Sequence, residues 1–268
     1  MEAPSNLFLA NKQVYADQAV IEFYATQTYI QEAERLLAEL PKDQLAGMAM
    51  LDVAVGGGRT ALVFSKLVKS YVGIDYSEGM IDICNRRFNV DTGKGPVSFA
   101  VVDMRSLDIF AARSFDIVLI SNNAISALAH EDRLATFSEV RRVCKPGAYF
   151  LFSAHNIQWA YRAFSFYRQL SIFHPKISYW NLLKWHELRS HNRLETIKKI
   201  ASLPNAIIND GAHEWRLQHY YIKPREQIKQ LESYFKEICV LSKYGQKISG
   251  MDQLDTIQDP YLYYLCRA

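Results

Sequence analysis

The stretch that decides the fold is LDVAVGGGRT, residues Leu51 to Thr60. An apolar run typical of a buried β-strand passes into three glycines, Gly56 to Gly58, and the helical pattern RTALVFSKLVKS comes next. Glycines let the backbone approach a ligand closely, and the free amides at a helix N-terminus favour a carboxylate or a phosphate. GGGRTA also matches G-x-G-x-x-A, the dinucleotide fingerprint. The stretch alone leaves three interpretations open: a dinucleotide loop, a loop for another adenosine cofactor, and a plain tight turn.

Strand and helix patterns alternate from Met48 to His155. Amphipathic stretches such as SEGMIDICNRRF, which begins at Ser77 and has an acid in its first turn, separate short apolar runs. This alternation predicts a doubly wound α/β fold, a parallel sheet with helices on both faces. Ligands of such sheets bind at the carboxyl ends of the strands. The five predicted strands are MAMLDVAV, SYVGID, PVSFAVVD, SFDIVLIS and AYFLFSAH.

The alternation stops on both sides of this region. Residues Ala16 to Leu40 have helical spacing and predict one helix that Pro41 ends. After His155, the sequence up to about Asp210 has no clear strand pattern and predicts a helical insertion. Three patterns then complete the sheet: HEWRLQHYYI as an exposed strand, PREQIKQLESYF as a helix, and KEICVLSKYG with PYLYYLCRA as an antiparallel pair.

We therefore expect a seven-stranded, mostly parallel sheet with an N-terminal helical cap and a helical lid after strand five. The expected segments are the cap, the ligand-binding core, the lid and the remainder of the sheet. They span residues 1–46, 47–155, 156–212 and 213–268.

Composition limits the classes of protein that fit. A net charge of +3 over 268 residues gives no general attraction to nucleic acid or membrane. The first residues, MEAPSNLFLANKQ, lack the pattern of a secretory signal, and no apolar run approaches the ~20 residues of a membrane span. The cysteines are scattered without a C-x-x-C pair, so we expect a cytoplasmic protein with neither a disulfide framework nor a zinc knuckle. They are Cys84, Cys144, Cys239 and Cys266.

Three acids narrow the interpretation of the glycine loop. Asp52 lies inside the first predicted strand, and Asp75 and Asp103 end the second and third strands. An acid at the end of the second strand can accept hydrogen bonds from both hydroxyls of an unsubstituted ribose. Asp103 lies where an adenine amino group could donate a hydrogen bond. Together with one glycine loop, these acids indicate a site for ribose and adenine with little room for a pyrophosphate.

The order of these motifs is similar to that of class I S-adenosylmethionine-dependent methyltransferases of the small-molecule type. The resemblance covers roughly Gly47 to Ser153, and the closing strands extend it to the C-terminus. The family usually has glycine where this chain has Ala54. The matching pieces are LDVAVGGGRT, VGIDYSEGMI, VVDMRSL, FDIVLISNNAI and EVRRVCKPGAYFLFS.

The resemblance implies a role for each part of the glycine loop and for the acids beside it. The loop, with Ala54, Gly56 and Gly58, would approach the methionine part of S-adenosylmethionine. Asp52 would contact the same part directly or through water. Asp75 would hold the ribose hydroxyls.

The resemblance also implies an adenine pocket. Tyr76 would lie beside the adenine and Met80 on its face, although Met80 also suits an ordinary core position. Asp103 would accept a hydrogen bond from the adenine amino group, and the Met104 amide would meet the ring.

The reacting methyl group is expected near the end of the fourth strand. Ser121 and Asn122 come directly after that strand, and Asn123 is a candidate contact of the methyl acceptor. Tyr15 and Tyr24, in the N-terminal helical region, would cover the pocket or serve only as packing residues.

A general base, where the acceptor must lose a proton, is expected at the carboxyl ends of strands four and five. His155 ends strand five and is the first candidate. His130, at the start of the helix after strand four, is the second, with a helix-capping role as its alternative.

The insertion lies where this family often builds its acceptor-binding lid. It is rich in aromatic and basic residues. Its aromatics would wall a flat or apolar acceptor or form the core of the lid itself; Trp159 and Tyr179, with Tyr220 of the late strand, are the candidates. Eight lysines and arginines between residues 156 and 209 face only Glu187 and Glu195. This excess would attract an anionic acceptor or form a solvated face.

The sequence favours methyl transfer to an N or O atom of a small molecule, without setting the oligomeric state. An RNA or protein acceptor docked on the basic lid is the alternative, but SNNA stands where many amino-directed nucleic-acid methylases carry an N-P-P-Y-type tetrapeptide. A nicotinamide-dependent oxidoreductase is a remote alternative, because no tyrosine has lysine four residues later. A regulator that binds the cofactor without catalysis is a third.

Overall fold

A computed structural model describes residues 5–89, 96–170 and 175–268. Its centre is a sheet in which five strands are parallel to one another in the order β3-β2-β1-β4-β5. Because β1 is central, its carboxyl end lies beside those of β2 and β4. The strands are β1 (Ala49–Val53), β2 (Ser70–Asp75), β3 (Val97–Val101), β4 (Phe115–Ile120) and β5 (Cys144–Asn156).

The sheet has nine strands among the described residues, rather than the seven expected. The closing pair is antiparallel as predicted: β9 (Tyr261–Arg267) pairs with both β5 and β8 (Lys236–Leu241). The two further strands, β6 (Asn205–Ile208) and β7 (His219–Ile222), form an antiparallel pair. β7 joins the last two residues of β5 in parallel. These strands of four residues are too short to give a clear alternation in sequence.

The predicted strand HEWRLQHYYI is shorter than expected and is not exposed. All four residues of β7 are buried. The residues before it form a short helical turn in which His213, Glu214 and Trp215 have positive φ angles of 47°, 60° and 65°. Left-handed backbone cannot continue a strand, so the first half of this segment is a turn.

Four helices precede the sheet: α1 (Ser5–Tyr15), α2 (Gln18–Ala25), α3 (Glu32–Ala38) and α4 (Lys42–Leu45). The single helix expected over Ala16 to Leu40 is therefore wrong. The Glu34 carboxylate accepts a hydrogen bond from the Gln31 backbone N–H at 2.9 Å and completes a capping box. This box starts a new helix after residues 26–31.

The other helices cover the sheet or build the lid. Helix α5 is shorter than the expected RTALVFSKLVKS. Helices on the sheet are α5 (Ala61–Phe64), α6 (Glu78–Phe88), α7 (His130–Val143), α12 (Pro224–Glu232) and α13 (Met251–Thr256). Those of the insertion are α8 (Ile157–Phe164), α9 (Pro175–Ser190), α10 (Leu194–Lys199) and α11 (Ala212–Trp215). Two 3-10 turns are Ala124–Ala127 and Phe166–Gln169.

Both faces of the sheet are buried, as expected for a doubly wound fold. Successive residues of β1 enter opposite cores: Leu51 packs in one cluster and Met50 in the other. The insertion has a third core that includes Leu188, Ile197 and Tyr221. No helix of the described residues is long and apolar enough to cross a membrane.

Candidate functional site

A cavity opens at the carboxyl ends of β1, β2 and β4. The wall combines the loop after β1, strand-end carboxylates and rings of the N-terminal helices. It consists of Tyr15, Tyr24, Gln27, Asp52, Ala54, Val55, Gly56, Gly57, Arg59, Thr60, Asp75, Tyr76, Met80, Met104, Ser121, Asn122, Ala124 and Ala127.

The glycine loop passes directly under the end of α2. Gly56 has a φ of 55°, and a Cβ built on Gly57 would lie 2.5 Å from the carbonyl oxygen of Tyr24. The Arg87 guanidinium donates to the carbonyl oxygens of Gly57 at 2.8 Å and Ala25 at 3.2 Å. Only glycine permits this approach, so the loop and the N-terminal helices together form one wall.

Asp75 ends β2 with its carboxylate in the cavity wall. Its two oxygens accept hydrogen bonds from the backbone N–H groups of Gly56 at 3.1 Å and Ser77 at 2.9 Å. Burial raises the pKa of Asp75 to about 6, although these bonds act in the opposite direction. A carboxylate oxygen can accept further bonds, so Asp75 can take hydroxyl donors from a ligand.

Asp52 is the second carboxylate of the cavity and lies one residue before the end of β1. Thr60 and Tyr71 both donate hydroxyl hydrogen bonds to one of its oxygens. Burial raises its pKa to about 6 as well. Two buried carboxylates in one cavity favour a ligand that brings hydrogen-bond donors or positive charge.

A buried ion pair connects the cavity to the N-terminal helices. The Arg59 guanidinium donates two bonds of 2.7 Å to the Glu34 carboxylate, and the two side chains are 7% and 0% exposed. Arg59 also donates to the Ser121 hydroxyl at 2.7 Å. This pair fixes α3 against the end of β4.

Aromatic rings cluster at one side of the cavity. Tyr15 lies 6.0 Å from Tyr24 and 6.3 Å from Tyr76 between ring centroids. His213 lies 6.1 Å from Tyr15 and 5.7 Å from Tyr24. Burial raises the pKa of Tyr24 to about 12, so its phenol stays protonated at neutral pH.

Most residues expected to bind the cofactor lie in this wall, but two do not. A Cβ on Gly58 would meet the ring of Phe88 and the thiol of Cys84, which places this glycine against α6. Asp103 is bound to Arg105, whose guanidinium approaches to 2.7 Å. Burial would raise the pKa of Asp103, but the bonds from Arg105 outweigh it and lower the pKa. Asp103 is therefore occupied by a cation and absent from the wall.

The candidate bases also lie outside the wall. Burial lowers the pKa of His155 to about 3, which makes it a weak base. His155 Nε2 lies 3.4 Å from the amide nitrogen of Asn123, a neighbour of the cavity residue Asn122. His130 Nδ1 is 2.7 Å from the hydroxyl of Tyr220, and both are absent from the wall.

The acceptor-binding candidates of the insertion do not reach the cavity either. Trp159 packs in the core of the insertion and stacks on Tyr221 at 6.4 Å. Tyr179 is 59% exposed and packs against Trp180. Helices α8 and α9 pack on each other; Trp159 and Phe164 belong to the core of the insertion, whereas Tyr167 and Trp180 are exposed.

Sequence reasoning missed several wall residues. Arg59 and Thr60 belong to LDVAVGGGRT itself, but their roles depend on partners far away in sequence. Gln27 comes after α2, a position hidden when residues 16–40 are taken as one helix. The other missed residues are Ala124 and Ala127.

Comparison with known proteins shows which protein family part of the chain resembles. Residues 50–147 match a family described as a methyltransferase domain. The chain is 31% identical over 119 residues to demethylmenaquinone methyltransferase of Leptospira interrogans, which is 43% of this chain and 46% of that protein. The match therefore spans about half the length of that relative.

Solved structures extend the likeness to nearly the whole chain. The 1,6-didemethyltoxoflavin-N1-methyltransferase of Burkholderia thailandensis, solved with 1,6-didemethyltoxoflavin and S-adenosylhomocysteine, has a TM-score of 0.57 at 13% identity and covers 100% of this chain and 91% of its own. A putative methyltransferase of Haloferax volcanii, solved with its activator, has a TM-score of 0.58 at 16% identity over 96% and 97% of the two chains. At these identities, the likeness shows a shared fold.

Proposed function

We propose that this chain is a class I S-adenosylmethionine-dependent methyltransferase that transfers a methyl group to an N or O atom of a small molecule. The observation that carries the proposal is the pair of buried carboxylates, Asp52 and Asp75, beside the glycine loop in one cavity. A pyrophosphate would be repelled by these carboxylates, whereas a ribose and an ammonium group would be attracted.

The chemistry of the wall fits S-adenosylmethionine. Asp75 would accept hydrogen bonds from the ribose hydroxyls, and Asp52 would attract the amino group of the methionine part. Met80 and Met104 would contact the adenine through soft, polarizable side chains. Arg59 is fully engaged with Glu34, so it stabilises the site rather than binding a phosphate.

When bound, S-adenosylmethionine supplies a methyl group on a sulfonium for in-line displacement. The protein then has to hold the acceptor in line and exclude water, and orientation can contribute roughly 7–11 kcal/mol in favourable cases. Tyr15, Tyr24 and Tyr76 line the cavity and pack on one another, so we expect their rings to contribute to this exclusion of water. No histidine of the described residues lies in the wall, so the proposal relies on positioning rather than on an assigned base.

A small acceptor fits the cavity better than a polymer does. Tyr15 and Tyr24 lie in the cavity wall and His213 packs on both rings, and such an aromatic lining suits a flat or apolar small molecule. The names of two similar proteins support the same class, since demethylmenaquinone and 1,6-didemethyltoxoflavin are both small molecules.

The test is a transfer assay with S-adenosylmethionine carrying a labelled methyl group. Pools of metabolites, total RNA and proteins serve as separate acceptors. We expect label in a small molecule, loss of transfer in Asp75→Ala, and retention in Asp43→Ala, a control at an exposed acid of α4. Label in RNA or protein alone would overturn the small-molecule proposal, and equal transfer by Asp75→Ala would overturn the assigned cofactor site.

A further inference from the structure

We propose that His155, Asp210 and His219 form a binding site for a divalent transition-metal ion. Within the part of the chain that the structure describes, this is the one group of three His, Cys, Asp or Glu side chains whose donor atoms all lie within 4.8 Å of one another. The three residues come from the end of β5, the segment after β6 and the start of β7. A bound ion would fasten the insertion to the central sheet.

The donor atoms are already close to a coordination geometry. Asp210 Oδ2 lies 2.8 Å from His219 Nδ1 and 3.9 Å from His155 Nε2. Metal–ligand bonds of about 2.0–2.2 Å in a tetrahedral site separate neighbouring donors by about 3.3 Å. The observed separations lie on both sides of that value, so small side-chain rotations would complete the site.

Asp210 carries a buried negative charge that invites a cation. Among the described residues, its ion pairs are with His155 and His219 alone, and its side chain is 11% exposed. The buried Arg133 guanidinium is directed elsewhere, to the Ile125 carbonyl and the Gln227 side chain. A carboxylate in such surroundings is stabilised by a paired or coordinated cation.

Nearby groups support a ligand at this position. The Tyr221 hydroxyl donates to Asp210 at 2.9 Å, and its ring stacks on His155 at 4.7 Å. Such partners hold metal ligands in their orientation.

Two imidazoles and one carboxylate select the kind of ion. Imidazole suits zinc, copper, iron and nickel, whereas magnesium and calcium prefer sites made of oxygen atoms. A three-residue site also leaves a position open for water or another ligand. We therefore use Zn²⁺ and Co²⁺ as probes.

The test is a calorimetric titration of the chelator-treated, untagged full chain with Zn²⁺, repeated with Co²⁺ by visible absorption. We expect one ion per chain and a higher melting temperature when it is bound. Tyr221→Phe should weaken binding about 10–100-fold, and His155→Ala, His219→Ala and Asp210→Asn should weaken it more. His186→Ala, at an exposed histidine of α9, should bind like the wild type.

The outcome is independent of methyl transfer, because the titrations contain no S-adenosylmethionine. Melting curves of the metal-free variants identify any variant that fails to fold. If one of the two histidine variants does not fold, metal binding by the other one tests the proposal. Absence of saturable binding by the wild type would overturn the proposal. Binding by folded His155→Ala and His219→Ala equal to that of the wild type would overturn it as well. Failure of Asp75→Ala to alter methyl transfer would leave the metal site unaffected.

Discussion

Ala54, the residue at which the chain departs from the pattern of the family it resembles, has a φ of 56°. This left-handed backbone costs a non-glycine residue roughly 1–2 kcal/mol. Ala54→Gly should remove that strain. The glycine also makes the unfolded chain more flexible, which lowers the stability of the folded protein by about 0.4–1 kcal/mol. We expect a net gain of about 0.5–1 kcal/mol in the free energy of unfolding, measured by urea denaturation.

The control for this change is Ala46→Gly, because Ala46 has a right-handed φ of −61° after α4. This control should leave stability unchanged or reduce it by up to ~1 kcal/mol. A loss of stability in Ala54→Gly equal to that of the control would contradict the strain inferred at Ala54.

The ionisation of Asp75 should appear in the pH dependence of cofactor binding. Its pKa is about 6, and only the carboxylate accepts bonds from both ribose hydroxyls. Affinity for S-adenosylhomocysteine, measured by calorimetry, should fall below pH 6 and approach tenfold per pH unit for one ionisation. Asp52 has a similar pKa and can steepen the fall.

The same pKa shift predicts the opposite trend for the empty protein. Because the folded-state pKa is raised, the stability contribution of Asp75 is present at acidic pH and is lost as the pH rises through about 6. Melting curves at each pH therefore separate weaker binding from unfolding. An affinity that stays constant from pH 7 to pH 5 would contradict the role assigned to Asp75. In Asp75→Asn, the part of the pH dependence of affinity that comes from Asp75 should be absent.

Among single residues, those at strand ends were predictable from the sequence, whereas those with distant partners were not. Asp52 and Asp75 reach the cavity because parallel strands end on one edge of the sheet. Asp103 has the same kind of position, but Arg105 two residues later occupies its carboxylate. No spacing rule reveals which way a side chain two residues away will turn.

The glycine loop and α2 form a contact between elements that only glycine allows. A Cβ on Gly57 would lie 2.5 Å from the Tyr24 carbonyl oxygen and 2.7 Å from the Ala25 nitrogen, both backbone atoms. Gly57→Ala should therefore displace α2, with Tyr24, from the cavity. We expect weaker cofactor binding and a loss of about 1–3 kcal/mol of stability, as for overpacking.

Gly47→Ala is a matched control, because its Cβ would meet its nearest neighbour, the Gln44 carbonyl oxygen, at an ordinary 3.5 Å. Calorimetry and urea denaturation of both variants would measure the difference. Equal effects of the two substitutions would show that the close contact with α2 is not important.

The predictability of the elements depends on their length and local signals. The strands β1 to β5 were predicted because each has an apolar pattern between turns and helices. The interruption between α2 and α3 was missed because the capping box of Gln31 and Glu34 lies within a continuous helical pattern. β6 and β7 were missed or misjudged because β6 pairs with β7 and β7 with β5, and these pairings are decided by tertiary contacts.

The whole molecule depends on the Glu34–Arg59 pair to hold its N-terminal helices on the sheet. Ser121 of the β4 end and Tyr263 of β9 both donate to Glu34. Glu34→Ala would leave the Arg59 charge buried and unpaired, which typically costs about 3–5 kcal/mol. Urea denaturation should show this loss, and Glu34→Leu with Arg59→Met should recover much of it.

The control is Glu32→Ala on the same helix. Glu32 pairs with Arg35 at the surface, where the side chains are 55% and 47% exposed, so its loss should cost less than about 1 kcal/mol. A Glu34→Ala variant as stable as Glu32→Ala would show that the pair does not hold the N-terminal helices in place.

Across the whole molecule, the sequence predicted the doubly wound sheet and the helical character of the insertion. The arrangement of the insertion was not predictable, because several of its aromatic side chains contact one another and do not follow the apolar pattern of the sheet core. Trp185, for example, donates its indole N–H to the Phe164 carbonyl oxygen at 2.8 Å. Composition identified these residues as unusual but could not distinguish an acceptor wall from a packed core.

The assignment of this cavity to S-adenosylmethionine underlies every functional prediction made for the chain. It is tested by a calorimetric titration of the full chain at neutral pH with S-adenosylmethionine, and separately with oxidised nicotinamide adenine dinucleotide. We expect saturable binding of S-adenosylmethionine at one site per chain, abolished by Asp75→Ala, and no binding of the dinucleotide. Binding of the dinucleotide alone, or equal affinity of Asp75→Ala and the wild type for S-adenosylmethionine, would contradict the assignment.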